Sequence, residues 1–498
     1  MDYNRREFLK GTAWMGAVAF AAGCTGTKGL GFGEGGKMAA YADKPFAKLR
    51  VGVIGLGRGQ AAIKSLPVIP GCEVTAICDL NAARIQRTLE ALEKAGAKRK
   101  PTVYTGGPEE WKRLCDDPEV DLVYNATPWQ LHVQIALYAM RAGKHVATEV
   151  PAAFTVDECW ELVETSEKLN RHCMQLENCC YGETEMLALN LCKLGLLGDL
   201  VHGEGAYIHD LRQYNYGTWD DATARSKDTD NAYWNFWRLR HNSQHKGNQY
   251  TTHGLGPICW YMDINRGDRF DYLVSLESDQ FNYEAYAKAK FPDHAWKPGL
   301  RVEMGDMNTM LIKTAKGRSI MIQHDVSSPR PYTRHNLVQG TKGAFFGMPW
   351  RIDGVDQWRV ALETTCGKGT EKWIAFDTPE GKKIEEKYRH PMWKAAGDIA
   401  KLAGGHGGKD FMMDLRWSYC LQNGLPLDID VYDTATWSCI RDLSERSVRS
   451  GSMPQKVPDF TRGGWKTAKP IGDMTIDLAK LDLNDAQRAL IGKQKSAF

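Results

Sequence analysis

Residues 51–59 read VGVIGLGRG and residues 73–79 read EVTAICD. A hydrophobic strand runs straight into a glycine turn, a helix-length segment follows, and a second strand ends on an acid. That order belongs to the nucleotide-binding βαβ unit of a doubly wound sheet. Gly55 permits the tight turn, Gly57 lets backbone approach a pyrophosphate, and the helix beyond offers its first N–H groups to that anion. Asp79 stands where a carboxylate accepts hydrogen bonds from a ribose 2′-hydroxyl and repels a 2′-phosphate, which selects NAD over NADP. The third glycine is out of strict register, because Gln60 occupies its place and Gly59 comes one residue early. Without a ligand the same letters describe only a tight turn between strand and helix.

The alternation continues. LRVGVIGL (49–56) is a strand and QAAIKSL (60–66) opens a helix; CEVTAICD is a strand, and NAARIQRTLEALEKAG (81–96) repeats apolar residues with the helical period. VDLVYNAT, QLHVQIALYAMRAG, HVATEV, TVDECWELVETSEKLN and HCMQLENC then read as strand, helix, strand, helix, strand. This pattern predicts an α/β fold, with a Rossmann-type doubly wound parallel sheet over residues 46–178. Residues 179–498 change character, with more Trp, Tyr, His and Gly, and strand-like alternation in YLVSLESD (272–279), NTMLIKTAKGRSIMIQHDV (308–326) and NLVQGTKGAFF (336–346). They read as an α+β domain whose mixed or antiparallel sheet lies beside the nucleotide and walls the substrate pocket. A late helix, Val431 to Ser450, packs back on the first domain.

The N-terminus is an address. Asn4-Arg5-Arg6-Glu7-Phe8-Leu9-Lys10 is a twin-arginine pattern, and the apolar stretch Gly11–Ala22 is too short to span a bilayer. Residues 1–24 therefore read as a Tat-type signal and the glycine-rich residues 25–45 as a linker. Ala21-Ala22-Gly23-Cys24 resembles a lipoprotein cleavage site with alanine where leucine is usual, so a periplasmic protein and a lipoprotein anchored at Cys24 are both open. The twin-arginine route carries folded proteins, which suits a chain that takes up its nucleotide before export. The thirteen cysteines form no CxxC pairs or metal spacing and read as buried thiols. A net charge of +3 without a long basic run excludes nucleic acid as a partner.

Residues 124–153, YNATPWQLHVQIALYAMRAGKHVATEVPAA, resemble the Gfo/Idh/MocA oxidoreductase superfamily: a strand, a Thr-Pro turn, a helix, then a GKHV strand ending in Glu-x-Pro. In that superfamily the motif is usually Glu-Lys-Pro with a proton-transferring lysine. Glu149-Val150-Pro151 lacks it, which argues against plain alcohol dehydrogenase chemistry. GEGAYIHDLR (203–212), NFWRLRHNSQHKGNQYTTHGLGP (235–257) and GGHGGKDFMMD (404–414) resemble glycoside hydrolase family 109, and the similarity runs from about Lys48 to about Arg449. The resemblance implies an NAD-dependent α-N-acetylgalactosaminidase acting on glycoprotein or glycolipid glycans with terminal GalNAc. In that chemistry carbon 3 of the sugar is transiently oxidised, the aglycone is eliminated, water adds, and carbon 3 is reduced again, so a tightly held NAD ends as it began.

The resemblance also assigns residues. Nucleotide contacts fall on Arg58, Gly59, Asp79, Trp129, Gln130, Leu131, His132, Glu149, Val150 and Asn178. Substrate contacts fall on Tyr207, Arg238, Tyr250, Thr251, Thr252, His253 and Tyr332. The route needs a base for the carbon-3 hydroxyl, a base near carbon 2 and an acid for the departing oxygen, each with a pKa near the working pH. Histidine and tyrosine suit these roles, and His253, Tyr207 and His406 are the catalytic candidates, with Tyr250 and His209 beside them. His241 and His245 stand four apart, as metal ligands on a helix face would, but no H-E-x-x-H glutamate accompanies them and no metal is expected. The competing readings are an NAD-dependent sugar oxidoreductase and a surface sugar-binding protein with a vestigial nucleotide fold. By analogy with related folds, the open face of the second sheet is a place for homo-oligomer formation.

Overall fold

The computed structural model describes residues 36–477 apart from 221–224, 228–232, 234–235, 349–350, 353–354 and 364–371. The twin-arginine segment, most of the glycine-rich linker and Cys24 lie outside the described residues. Among those described, no helix is long and apolar enough to cross a membrane.

The first sheet is built from β1 (Leu49–Ile54), β2 (Cys72–Cys78), β3 (Thr102–Tyr104), β4 (Leu122–Asn125), β5 (His145–Thr148) and β6 (Cys173–Gln175). Its order is β3-β2-β1-β4-β5-β6 and every pairing is parallel. Strands β4 and β5 are buried throughout, which is why they read as unbroken apolar runs. The order reverses between β1 and β4, and ligands of such sheets bind at that switch point, beyond the carboxyl ends of the strands. Helices α1 (Gln60–Ser65), α2 (Ala82–Lys94), α3 (Glu110–Asp116), α4 (His132–Arg141) and α5 (Val156–Leu169) connect the strands. Asn81 caps α2 by accepting from the Ala83 and Arg84 N–H groups, and Thr155 with Glu158 forms a capping box on α5. Strand β3, with three residues, and helix α3, with seven, are additions to the sequence reading, since both are too short to show a clear period.

Beyond α6 (Glu183–Lys193) the chain forms β7 (Leu200–Ile208), α7 (Thr252–Tyr261), β8 (Phe270–Glu277), β9 (Asn308–Thr314), β10 (Ser319–Asp325), β11 (Thr333–Gly340), β12 (Gly343–Met348), β13 (Arg359–Leu362), β14 (Ile374–Ala375) and, near its end, β15 (Gln455–Lys456). These strands make one nine-stranded sheet in the order β14-β13-β12-β11-β7-β10-β9-β8-β15. Only the β7–β10 pairing is parallel, so the sheet is mixed. Helix α7 lies directly on β7, because a Cβ on Gly205 would stand 2.2 Å from the carbonyl oxygen of Gly254. Backbone meets backbone there, and this sets Tyr207 on β7 beside His253 in the first turn of α7.

Two helices of the C-terminal half return to the first sheet, where the sequence reading expected one. Helix α8 (Pro391–Ala403) leads through a glycine loop into α9 (Lys409–Gln422), which packs on α1 and receives a hydrogen bond from the Ser65 hydroxyl at Asp414. Residues 409–421 of α9 are all buried, so the helix has no polar stripe to announce it. Helix α10 (Val431–Arg449) lies against α5 and β6 on one side and β8 on the other. The Arg266 guanidinium binds Asp433 at 2.6 Å and Asp430 at 3.0 Å, pinning the start of α10 to the turn between α7 and β8.

Candidate active site

One cavity of about 1530 Å³ runs from the glycine turn at Gly55 and Gly57 to the aromatic cluster between α7 and the second sheet. That exceeds the roughly 300–1,000 Å³ of a drug-sized ligand site and leaves room for a dinucleotide with a sugar beside it.

At the nucleotide end, Gly55 has φ of +86°, and a Cβ there would meet the Ala126 carbonyl oxygen at 2.5 Å. Gly59 performs the packing role of the displaced third glycine: a Cβ on it would lie 2.3 Å from the Gly55 oxygen and 3.0 Å from Val53 Cγ1. Asp79 accepts from the Leu56 N–H at 2.7 Å and the Asn81 N–H at 2.8 Å, bracing the turn from the end of β2. A side chain at Gly57 would approach only the Arg84 guanidinium, at 3.4 Å, so backbone lies open to a ligand. An unobstructed turn, an acid at the next strand end and a cavity running past both fit a dinucleotide.

Arg58 reaches from this turn to Glu149 at 2.9 Å and Asp410 at 3.2 Å. Burial works against its charge, but the two carboxylates hold it firmly protonated. Burial pushes the Glu149 carboxyl up, against the pull of Arg58. The Val150–Pro151 peptide is cis, and the His132 ring sits between the Pro151 carbonyl at 2.7 Å and the Thr127 carbonyl at 2.9 Å. His132 therefore shapes the cavity wall through the backbone.

The aromatic end is built around two cations. The Arg238 guanidinium, at the start of a short helix (Trp237–Asn242), lies 4.8 Å from the Trp129 ring, 5.0 Å from Tyr250, 5.2 Å from Tyr233 and 5.9 Å from Tyr207. Its Nη1 donates to the Tyr233 hydroxyl at 3.0 Å. Trp129 stacks on Tyr250 with centroids 5.6 Å apart, so a loop of the first domain forms the floor of the aromatic end. The second cation is His253. Its Nδ1 donates to the fully buried Glu177 at 2.7 Å, and its Nε2 lies 3.2 Å from the Tyr250 hydroxyl. Burial would lower the pKa of this ring, but Cys179 and Glu177 outweigh it and hold it well above the ordinary value. Burial would raise Glu177, and His253 reverses that. Each partner therefore favours the charged form of the other. Burial keeps the Tyr207 and Tyr250 hydroxyls protonated.

A second carboxylate–histidine pair closes the other wall. His406 follows Gly404 and Gly405, and its Nδ1 lies 2.7 Å from Asp410 at the start of α9. Burial opposes ionisation of Asp410, but His406 and Arg58 hold it far below the usual carboxylate range.

Gly55, Gly57, Arg58, Asp79, Trp129, Leu131, His132, Glu149, Val150 and Asn178 line the cavity from the nucleotide side, and Tyr207, Arg238, Tyr250, His253, Tyr332 and His406 from the other. Four sequence candidates do not. Gln130 is exposed, Gly59 is packed under the turn, Thr252 is buried in α7, and the Thr251 hydroxyl donates to the Trp437 carbonyl at 3.2 Å. Sequence reasoning passed over Glu177, Arg334, Lys409 and Asp410. Arg334 binds Glu185 and the Tyr332 hydroxyl, and the Lys409 ammonium lies 3.4 Å from Cys179 Sγ. Asp410 had a readable signal, a carboxylate four residues after His406. Glu177 had none.

Glu177, Cys179 and His253 stand close enough to share a metal ion. Lys409 already places a positive charge against the thiol, and Glu177 and His253 bond each other directly, so protons satisfy this cluster. His241 is taken up by Gln249 at 2.7 Å and His245 by Glu445 at 3.0 Å. Their ring centroids lie 4.3 Å apart. Eleven cysteines among the described residues are free thiols, nine of them buried.

Residues 49–176 match the model of the oxidoreductase family with an NAD-binding Rossmann fold, and residues 181–467 match that of the glycosyl hydrolase 109 C-terminal domain. A glycosyl hydrolase family 109 protein of Solibacter usitatus is 43% identical over 472 residues, covering 94% of this chain and 99% of the relative. An α-N-acetylgalactosaminidase of Shewanella oneidensis is 44% identical over 426 residues, covering 85% and 87%. Among solved structures, levoglucosan dehydrogenase in complex with NADH and levoglucosan shares the fold with a TM-score of 0.58 at 19% identity, over 82% of this chain and 100% of that one. A parallel nucleotide-binding sheet, a mixed sheet behind it and relatives alike over nearly their whole length leave one assignment: the chain belongs to glycoside hydrolase family 109.

Proposed function

We propose that this protein is an exported glycosidase that releases terminal α-linked N-acetylgalactosamine from glycoprotein or glycolipid glycans, with NAD held through the cycle and no net oxidation. The observation that carries the reading is the single cavity that joins the glycine turn to a carboxylate-held, protonated His253. Bound NAD would supply a hydride acceptor and donor for carbon 3 of the sugar, which acidifies the carbon-2 proton and lets the aglycone leave by elimination.

The chain's own part is binding and proton management. Arg238 and the rings of Tyr207, Tyr250 and Tyr332 bind the sugar. His253 holds a proton between Glu177 and the Tyr250 hydroxyl, so Tyr250 is the group through which that proton reaches the ring. His406, at the more open wall, serves the departing oxygen. Val150 puts an apolar side chain where the superfamily lysine would stand, which removes the amine used in plain dehydrogenation. The twin-arginine pattern and the signature at Cys24 support export to the periplasm, free or lipid-anchored.

The test is p-nitrophenyl α-N-acetylgalactosaminide in deuterated water with no added NAD. Nitrophenol release with deuterium at carbon 2 of the product is expected. Accumulation of NADH without release of nitrophenol would overturn the reading in favour of a sugar oxidoreductase.

A further inference from the structure

We propose that Asp410 is the positioning residue for His406, an inference that rests on the function proposed above only where turnover is measured. The His406 side chain is 59% exposed and opens a single 3₁₀ turn, His406–Gly408. Its own φ is +48°, and Gly404, Gly405, Gly407 and Gly408 all have positive φ. The backbone of this turn is tied by the Gly404 N–H on the Ala400 oxygen at 3.1 Å and the Gly408 N–H on the Gly405 oxygen at 2.9 Å, but neither bond touches the ring of His406. The ring is held instead from below. Asp410 is buried, and its Oδ2 lies 2.7 Å from His406 Nδ1.

Asp410 is itself anchored, which makes it the fixed partner of the two. Arg58 Nη1 and Nη2 donate to it at 3.2 and 3.3 Å, and the Asn178 amide donates to its Oδ1. Arg58 leaves the glycine turn and Asn178 follows β6, so both donors belong to the nucleotide-binding half. A Cβ on Gly405 would stand 2.8 Å from Asp410 Cβ, so the loop rests directly on this side chain. One carboxylate therefore places the exposed ring relative to the nucleotide wall.

The contact also sets the tautomer. A carboxylate only accepts, so Nδ1 must carry the proton and donate it, which leaves Nε2 as the atom that takes and gives protons at the cavity. The arrangement repeats Glu177 and His253 on the opposite wall, with one difference: Glu177 serves a partly buried ring and Asp410 an exposed one. Neither family chemistry nor burial alone predicts that second pairing.

The experiment is nitrogen-15 NMR of histidine-labelled protein, with His406→Ala supplying the assignment. His406 is expected as the Nδ1–H tautomer in the wild type and as the Nε2–H tautomer in Asp410→Asn. Turnover of the aryl glycoside is expected to fall about 100-fold in Asp410→Asn, the scale of one acid–base contribution, but less than about threefold when His406 is already alanine. An Nε2–H tautomer in the wild type would overturn the proposal, as would an equal loss in both backgrounds. Should Asp410→Asn fail to fold, the wild-type tautomer still decides. Should the wild type not cleave the glycoside, the proposed function fails while the NMR result stands by itself.

Discussion

Replacing Glu177 by glutamine keeps the shape of the side chain and removes its charge, leaving an imidazolium buried against an amide. Glu177 is fully buried, 2.7 Å from His253 Nδ1, and also accepts from the Cys179 N–H at 3.0 Å. Breaking one partner of such a pair costs about 3–5 kcal/mol. Unfolding entropy near 2 cal/mol/K per residue gives roughly 1 kcal/mol per kelvin for the 498-residue chain, so the melting temperature should fall by about 3–5 °C. The deficit depends on pH in a defined direction. His253 is raised above its ordinary 6.5, so its share of the stability is complete below that value and is lost as pH climbs through the higher folded pKa. Glu177 is lowered below its ordinary 4.5, so its share is complete above that value and is lost as pH falls through the lower folded pKa. The difference between wild type and variant should therefore be greatest between 4.5 and 6.5 and shrink outside that window. Turnover should suffer most on the alkaline side, where the unpaired ring gives up its proton, by about 100-fold at pH 8. The assay is calorimetry from pH 4 to 9 beside the aryl glycoside rate. A variant melting within about 1 °C of wild type at pH 6 and turning over within about threefold at pH 8 would refute the ion pair as both brace and proton store.

Three further outcomes follow from single side chains. Gly59→Ala forces a methyl group to within 2.3 Å of the Gly55 carbonyl oxygen, and backbone cannot give way there, so NAD affinity measured by fluorescence should drop at least about tenfold. Arg238→Met empties the aromatic cage of its charge; KM for the glycoside should rise about tenfold or more while NAD affinity measured by fluorescence stays level. Asp414 is buried beside Ser65 and Trp417, and burial pushes its carboxyl up to about 7. Because the folded pKa exceeds the ordinary 3.8, ionising this group costs stability as pH rises between the two values. Asp414→Asn should therefore raise the melting temperature more at pH 8 than at pH 4, and a gain equal at both would reject the buried carboxyl as the cause.

What the sequence disclosed and what it hid divide along a physical line. The glycine turn, Asp79 and helices α2 and α5 were legible because each is decided by neighbours in the chain: a turn by its glycines, a capped amphipathic helix by its period. Helix α9 was missed because every residue from 409 to 421 is buried and the helix has no polar side. The two carboxylate–histidine pairs differ in the same way. Asp410 lies four residues after His406, whereas Glu177 and His253 meet across 76 residues and Arg58 and Asp410 across 352. A pairing over such a distance exists only once α7 is laid on β7 and α9 on α1. Motif resemblance has the opposite weakness, since it hands over a whole string of residues while the fold uses some of them. In Tyr250-Thr251-Thr252-His253 the outer two positions are three apart, on one side of the turn that opens α7, and both reach the cavity. Of the two threonines between them, Thr251 turns to the Trp437 carbonyl of α10 and Thr252 is buried beside Glu177. Helical geometry thus separates a four-residue motif into two residues that line the cavity and two that do not.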